Sequence, residues 1–301
     1  MKQFSGVPRK DLQWSPGAVG TWGKRVAAVG GTAGIGQAIA RLLARQGAQV
    51  TVVGQTFRDA GTANIEFLQA DLSSMKDAAR VAKALAAKSP DLWLLTAGIF
   101  AGPQRESTAE GLERDMAVSY LSRLAILNEL GPAWVAPAAP GSTRPRVFVM
   151  GFPGTGQVGT RLDDLNAEQR YESMPVHMNT VAGNEALVHV ASKRWPGAAF
   201  FGLNPGLIKT NIRANVLGGN ASFRFKAVEA FIGMVTPSAE QYAERMVPLL
   251  LSPQLDQHSG ALFNNKARPI ERTEGLDDAR AEQFVAASEV LVARAQGTGQ
   301  V

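Results

Sequence analysis

The 301-residue chain contains no cysteine, which excludes disulfide cross-links and thiol nucleophiles. It has only three histidines, scattered along the sequence, so a zinc site is not expected and no feature calls for a metal. Long apolar runs are missing too. Stretches such as Val247 to Leu251 fall far short of the roughly 20 residues that cross a bilayer. Residues 1–20 carry Lys2, Arg9, Lys10 and Asp11 and have no apolar core of the kind a secretory signal needs. The expectation is a soluble, cytoplasmic chain with no membrane partner. The net charge is +5, yet Lys and Arg form no run and do not alternate with aromatic residues. A nucleic-acid partner is therefore not expected, although a basic surface favours anionic ligands, phosphorylated cofactors among them.

What the chain does have is a 45% hydrophobic composition, enough for one large α/β core, read as a single domain spanning 23–301 behind an N-terminal arm of 1–22. Strand candidates are Arg25–Val29, Val50–Val53, Glu66–Gln69, Leu92–Leu95, Val147–Met150, Ala199–Leu203 and Ala261–Phe263. Helical spacing recurs over 36–45, 75–88, 109–130 and 181–194, with a C-terminal helix over 276–295. This alternation predicts an α/β fold with a doubly wound parallel sheet of the Rossmann type. Residues 133–145, rich in Pro and Ala, read as a loop. The sheet pattern pauses over 211–260, where Phe223, Phe225, Phe231 and Met234 supply apolar surface. A substrate lid, a packed helix pair and a subunit contact all fit that segment.

Residues 29–36 read Val-Gly-Gly-Thr-Ala-Gly-Ile-Gly, between an apolar strand and an amphipathic helix. Gly30 permits a tight turn, Gly34 lets the backbone approach a pyrophosphate, and Gly36 lets the helix pack closely on the sheet. Thr32, Ala33 and Ile35 complete the turn, and the helix N-terminus offers free N–H groups to an anion. After the second strand come Gln55, Thr56 and Arg58, with no acidic residue to bind an adenosine 2′-hydroxyl. NADP(H) is therefore expected over NAD(H), with these three as contacts to a 2′-phosphate; a solvated Arg58 without a ligand is the alternative.

The glycine turn resembles the TGxxxGIG pattern of the short-chain dehydrogenase/reductase family, with Val29 where the family usually has Thr. Other segments are similar in the same order. Asp71 and Leu72 match the family's adenine-contact position, although Asp71 also suits a helix cap. Ala97 and Gly98 match the end of its Asn-Asn-Ala-Gly motif. Pro205, Gly206, Ile208 and Thr210 match the segment that holds the nicotinamide carboxamide.

The family's Tyr-x-x-x-Lys motif has no counterpart here. The tyrosines are Tyr120, Tyr171 and Tyr242, and none is followed by Lys four residues on. By spacing, the resemblance puts the Tyr position on His177, the Lys position on Val181, the Ser position near Gly151–Pro153 and the Asn position on Ser119. His177 then reads as a replacement proton donor or as an ordinary polar residue at a helix start. Tyr171 is a second donor candidate. The resemblance implies an NADP(H)-dependent oxidoreductase acting on a small organic substrate, and relatives that are often dimers or tetramers leave homo-oligomers open. Without Ser and Tyr, an activated acceptor such as an iminium or enone is the expected substrate. The alternatives are an NADP-binding sensor or partner without turnover, and a non-redox cyclase or isomerase.

Overall fold

A computed structural model describes residues 6–14, 20–21, 23–100, 102–139, 143–208 and 237–297. Eight strands form one sheet: β1 (Arg25–Val29), β2 (Gln49–Gly54), β3 (Ile65–Gln69), β4 (Leu92–Leu95), β5 (Arg146–Met150), β6 (Ala199–Leu203), β7 (Leu262–Phe263) and β8 (Pro269–Ile270). Their order is β3-β2-β1-β4-β5-β6-β7-β8, parallel throughout except the β7–β8 pair. The order reverses between β1 and β4, and ligands of open α/β sheets bind in the crevice at such a switch point.

Strand residues alternate between two apolar layers. Ala27 and Val29 of β1 join one core with Met75, Leu85, Leu124, Ala186 and Phe284. Val26 and Ala28 join the other with Ile39, Leu43, Tyr242 and Leu250. Helices α2 (Met75–Ala86), α4 (Ser122–Leu130), α5 (Ser173–Arg194) and the C-terminal helix α7 (Asp278–Gln296) thus cover one face. Helices α1 (Gly34–Arg45) and α6 (Ala239–Leu251) cover the other. The remaining piece, α3 (Arg114–Met116), runs through a π-helical turn, Ala117–Leu121, into α4.

Two boundaries differ from the sequence expectation. The helix expected over 109–130 begins at Arg114, because Thr108 to Leu112 closes a turn in which Thr108 N–H donates to the Leu112 carbonyl and Gly111 takes a φ of +77°. Helix α5 begins at Ser173 rather than 181. Pro175 falls in its first turn, where a backbone N–H has no intrahelical acceptor to lose. The sequence reading placed no strand at Pro269–Ile270, which pairs antiparallel with β7.

At the sheet's far edge the N-terminal arm pairs with β8. Pro8 bridges Ile270, Arg9 N–H donates to the Pro269 carbonyl at 3.0 Å, and Glu271 N–H donates to the Val7 carbonyl at 2.7 Å. Of the segment expected to form a lid, residues 211–236 lie outside the described residues. Its later part is α6, packed on α1 through Tyr242, Met246 and Leu250. Among the described residues no helix is long and apolar enough to cross a membrane.

Candidate functional site: a nucleotide cradle and a buried Asp–His pair

At the carboxyl end of β1 the chain turns on Gly30 at a φ of +86°. A Cβ there would lie 2.3 Å from the Ala97 nitrogen, and one at Gly36 would lie 2.4 Å from both the Gly30 carbonyl oxygen and Thr96 Oγ1. Only glycine lets the turn, the helix and the end of β4 meet this closely. Helix α1 starts at Gly34 with Ala33 as its N-cap; no side chain caps it and its first turn holds no acidic residue. Its N–H groups and positive dipole end are therefore suited to an anion.

The segment after β2 folds onto this turn. Arg58 Nη1 donates to the Thr32 carbonyl at 3.1 Å, and buried Asp59 accepts from Gln37 (2.9 Å) and Arg41 (2.5 Å) of α1. Gly54 passes so near Thr32 that a Cβ would meet Oγ1 at 2.4 Å. Gln55 Nε2 donates to Asp71 Oδ1 at 3.4 Å, and Thr56 lies between Gln55 and Phe57 on the exposed side. Burial by itself raises the Asp71 carboxyl, but hydrogen bonds from Ser73 N–H, Ser73 Oγ and Gln55 outweigh it and hold the group below its ordinary value. The cap of α2 is Ser74 rather than Asp71, and Leu72 and Ile35 pack into the core.

Beyond β6, Asn204 accepts from Gly206 N–H at 2.9 Å and donates to the Pro153 carbonyl at 2.9 Å, tying the exits of β5 and β6 together. Pro205 and Ile208 are buried beside Gly206, whose φ is +64°. Thr210 lies outside the described residues. The sequence-predicted cradle residues therefore converge on the carboxyl edge of the sheet, with Ala97 and Gly98 at the end of β4.

The acid–base groups gather beside this edge. Glu113 caps α3 by accepting from Met116 N–H at 2.7 Å. The π turn that follows widens the helix by one residue, as such turns commonly do at functional sites. Asp115, with a fully buried side chain, accepts from Ser119 Oγ at 2.5 Å on Oδ1 and faces His177 Nδ1 at 2.8 Å on Oδ2. An ionised carboxylate only accepts, so the tautomer that pairs with one carries its proton on Nδ1 and turns Nε2 away from Asp115. The His177 ring stacks on Phe100 with centroids 3.8 Å apart. Ser119 Oγ also accepts from Ile99 N–H at 3.0 Å, which fixes the chain leaving β4.

Tyr171 donates to the Gly102 carbonyl at 2.8 Å, and its hydroxyl is pushed up to about 12 by burial and then by the negative charges of Glu113, Asp115 and Glu106. Val181 is buried, so no amine stands where the resemblance puts Lys. Gly151 is fixed by Asn184, whose Cβ would lie 3.0 Å from an added Cβ.

Sequence reading missed Asp115, Arg123 and Asn184. Arg123 is 3% exposed; Nη1 donates to the Met150 carbonyl and to Asn184 Oδ1 (2.7 Å), and Nη2 donates to the Ala97 carbonyl (2.5 Å). Asn184 Nδ2 in turn donates to the Ser119 carbonyl at 2.9 Å. A signal was present: Asp115 and Arg123 each lie four residues from Ser119 in a stretch that is otherwise largely apolar, where a helix puts all three on one side.

Sheet order, glycine turn and bare helix N-terminus define a Rossmann-type nucleotide-binding protein. A family model described as short chain dehydrogenase matches residues 24–142. The chain is 45% identical over 274 residues to an uncharacterized oxidoreductase of Saccharomyces cerevisiae, covering 90% of this chain and 88% of the relative. The chain belongs to the short-chain dehydrogenase family of oxidoreductases. Among solved structures, an uncharacterized protein from Mycobacterium paratuberculosis superposes with a TM-score of 0.65 at 20% identity, over 93% of this chain and 98% of that one. A 3-oxoacyl (acyl-carrier-protein) reductase from Agrobacterium tumefaciens with NADP bound gives 0.59 at 18% identity, over 81% and 93%.

Proposed function

We propose that the chain is an NADP(H)-dependent oxidoreductase that interconverts a small hydroxyl compound and its carbonyl, with His177 as the proton-transferring group. The observation that carries this reading is the 2.8 Å contact between His177 Nδ1 and buried Asp115. When bound, the nicotinamide supplies hydride chemistry at its carbon 4.

The residues present suit that cofactor. Gly30 and Gly36 let the turn, α1 and the end of β4 pack closely, Gly34 would let the backbone approach a pyrophosphate, and the uncapped start of α1, with Thr32, Ala33 and Ile35, offers N–H donors. Gln55, Thr56 and Arg58 would take a 2′-phosphate, Asp71 and Leu72 the adenine, Ala97 and Gly98 the ribose side, and Pro205, Gly206, Ile208 and Thr210 the carboxamide. The family's neighbour with bound NADP supports the cofactor class, and the lack of an acid at 55–58, directly after β2, favours the phosphorylated form.

His177 gives or takes the substrate proton at Nε2, while Asp115 fixes the tautomer and stabilises the imidazolium that forms. Ser119 and the π turn hold Asp115 in place. With His177 exchanging a proton with the substrate oxygen at Nε2, the substrate does not need to be an activated iminium or enone. Tyr171, committed to Gly102, shapes the wall and does not titrate in the working range.

The test is nicotinamide absorbance with a panel of alcohols, aldehydes and ketones, run with both cofactors and with His177→Phe. Turnover with NADP(H) that collapses in the variant is expected. Tight NADPH binding with no redox change across the panel would favour a binding or non-redox role.

A further inference from the structure

We propose that Arg123 is a positioning residue for His177: its buried guanidinium is the cation that keeps Asp115 ionised and His177 neutral at rest, leaving Nε2 as a proton acceptor. This deepens the reading of His177 given above and rests on it.

The geometry points to charge balance rather than to a simple cross-link. Arg123 is almost entirely buried, yet the hydrogen-bond acceptors it meets among the described residues are neutral: two main-chain carbonyls and the Asn184 amide oxygen. Among the described residues its Nε has no hydrogen-bond partner. A guanidinium stays charged in proteins, and a buried charge without a counter-ion is costly. Burial pushes it down from its ordinary value, and the one charge that favours it is Asp115. Among the described residues Asp115 has no Lys or Arg as a hydrogen-bond partner; its partners are the Ser119 hydroxyl and His177. Asn184 and Ser119 lie between the two: Asn184 accepts from Arg123 and donates to the Ser119 carbonyl, and the Ser119 hydroxyl donates to Asp115.

With Arg123 positive and Asp115 negative, the cluster is neutral when His177 is neutral. Remove the guanidinium and the buried carboxylate is left alone, so it draws a proton onto His177 instead. The surrounding charges do not replace it. Glu113 beside Asp115 is pushed towards its neutral form by burial. Arg105 is occupied by the Asn166 carbonyl and Ser107, Arg114 by Glu106, and Glu172 by Arg161 and Arg170. Arg280 of α7 donates to the carbonyls of Val158 and Gly159, and Tyr171 is neutral.

The experiment is an NMR titration of the histidine imidazoles in the full chain without added nucleotide, with His177→Gln used to assign the signal. In the unsubstituted protein the nitrogen shifts at neutral pH should report the Nδ1–H tautomer. In Arg123→Met and Arg123→Gln the His177 titration midpoint should move to higher pH by about one unit, the size of one unscreened nearby charge. Arg123→Lys, which keeps the charge, should restore the original midpoint. An Nε2–H tautomer, or a midpoint unmoved in Arg123→Met, overturns the proposal. If the uncharged variants do not fold, the tautomer in the unsubstituted protein decides. A chain that passes these tests but never oxidises or reduces a nicotinamide keeps the charge balance and loses the function; turnover with an unmoved midpoint does the reverse.

Discussion

Asp115 and His177 meet at 2.8 Å across 62 residues of sequence, one from the turn that starts the crossover helix after β4 and the other from the second turn of α5. Asp115 is fully buried and His177 keeps one edge open. The pair is therefore anchored from the protein side and available from the other.

Asp115→Asn is expected to lower turnover by about 10²–10⁴-fold, the range for general acid–base contributions, while NADPH affinity stays within about twofold. An amide in place of the carboxylate no longer enforces the Nδ1–H tautomer. Steady-state kinetics with calorimetric titration of NADPH checks this. A fall in affinity matching the fall in turnover would mean that Asp115 serves the fold alone.

For cofactor choice, Arg58→Ala should weaken NADPH by about 10–100-fold and leave NADH nearly unchanged, since a charge-assisted contact to phosphate contributes about 1.5–3 kcal/mol. Isothermal calorimetry with both nucleotides measures it. Equal losses for the two would remove the 2′-phosphate assignment.

Gly36→Ala should lower thermal stability as well as cofactor binding. The added Cβ would meet the Gly30 carbonyl oxygen at 2.4 Å, a backbone atom that cannot swing aside. Overpacking of this kind costs about 1–3 kcal/mol, and melting curves without nucleotide read it directly. A melting point equal to that of the parent would show that the turn yields.

Tyr171→Phe should leave the pH–rate profile unchanged below pH 10. The Tyr171 hydroxyl is pushed up to about 12, so it stays protonated across that range. The sign for stability follows: the folded state favours the protonated hydroxyl, and that contribution is present below its ordinary value and fades as pH rises towards 12. Loss of the bond to Gly102 should cost about 0.5–1.5 kcal/mol in chemical denaturation. A vanished limb in the profile would return Tyr171 to the chemistry.

Much of the fold was legible because parallel strands buried on both faces read as short apolar runs: β1, β4 and β6 have the bounds read from the sequence. The glycine turn was legible because its geometry admits few residues. The start of α5 was not, since Pro175, Asn179 and Thr180 are weak helix formers that packing against α3 overrides. Asp115 and Arg123 stayed hidden for a related reason. Their roles depend on partners 62 and 61 residues away, His177 and Asn184, and on a π turn that no local spacing announces.

The pairing of residues 7–9 with β8 has a consequence for how molecules behave towards one another. A bare outer strand offers N–H and C=O groups to any other chain and invites edge-to-edge growth. Here the arm occupies that edge, and Pro8, which lacks an N–H, interrupts the ladder on the outermost strand. Removing these few residues would turn the sheet's margin into a template for self-association in concentrated solution.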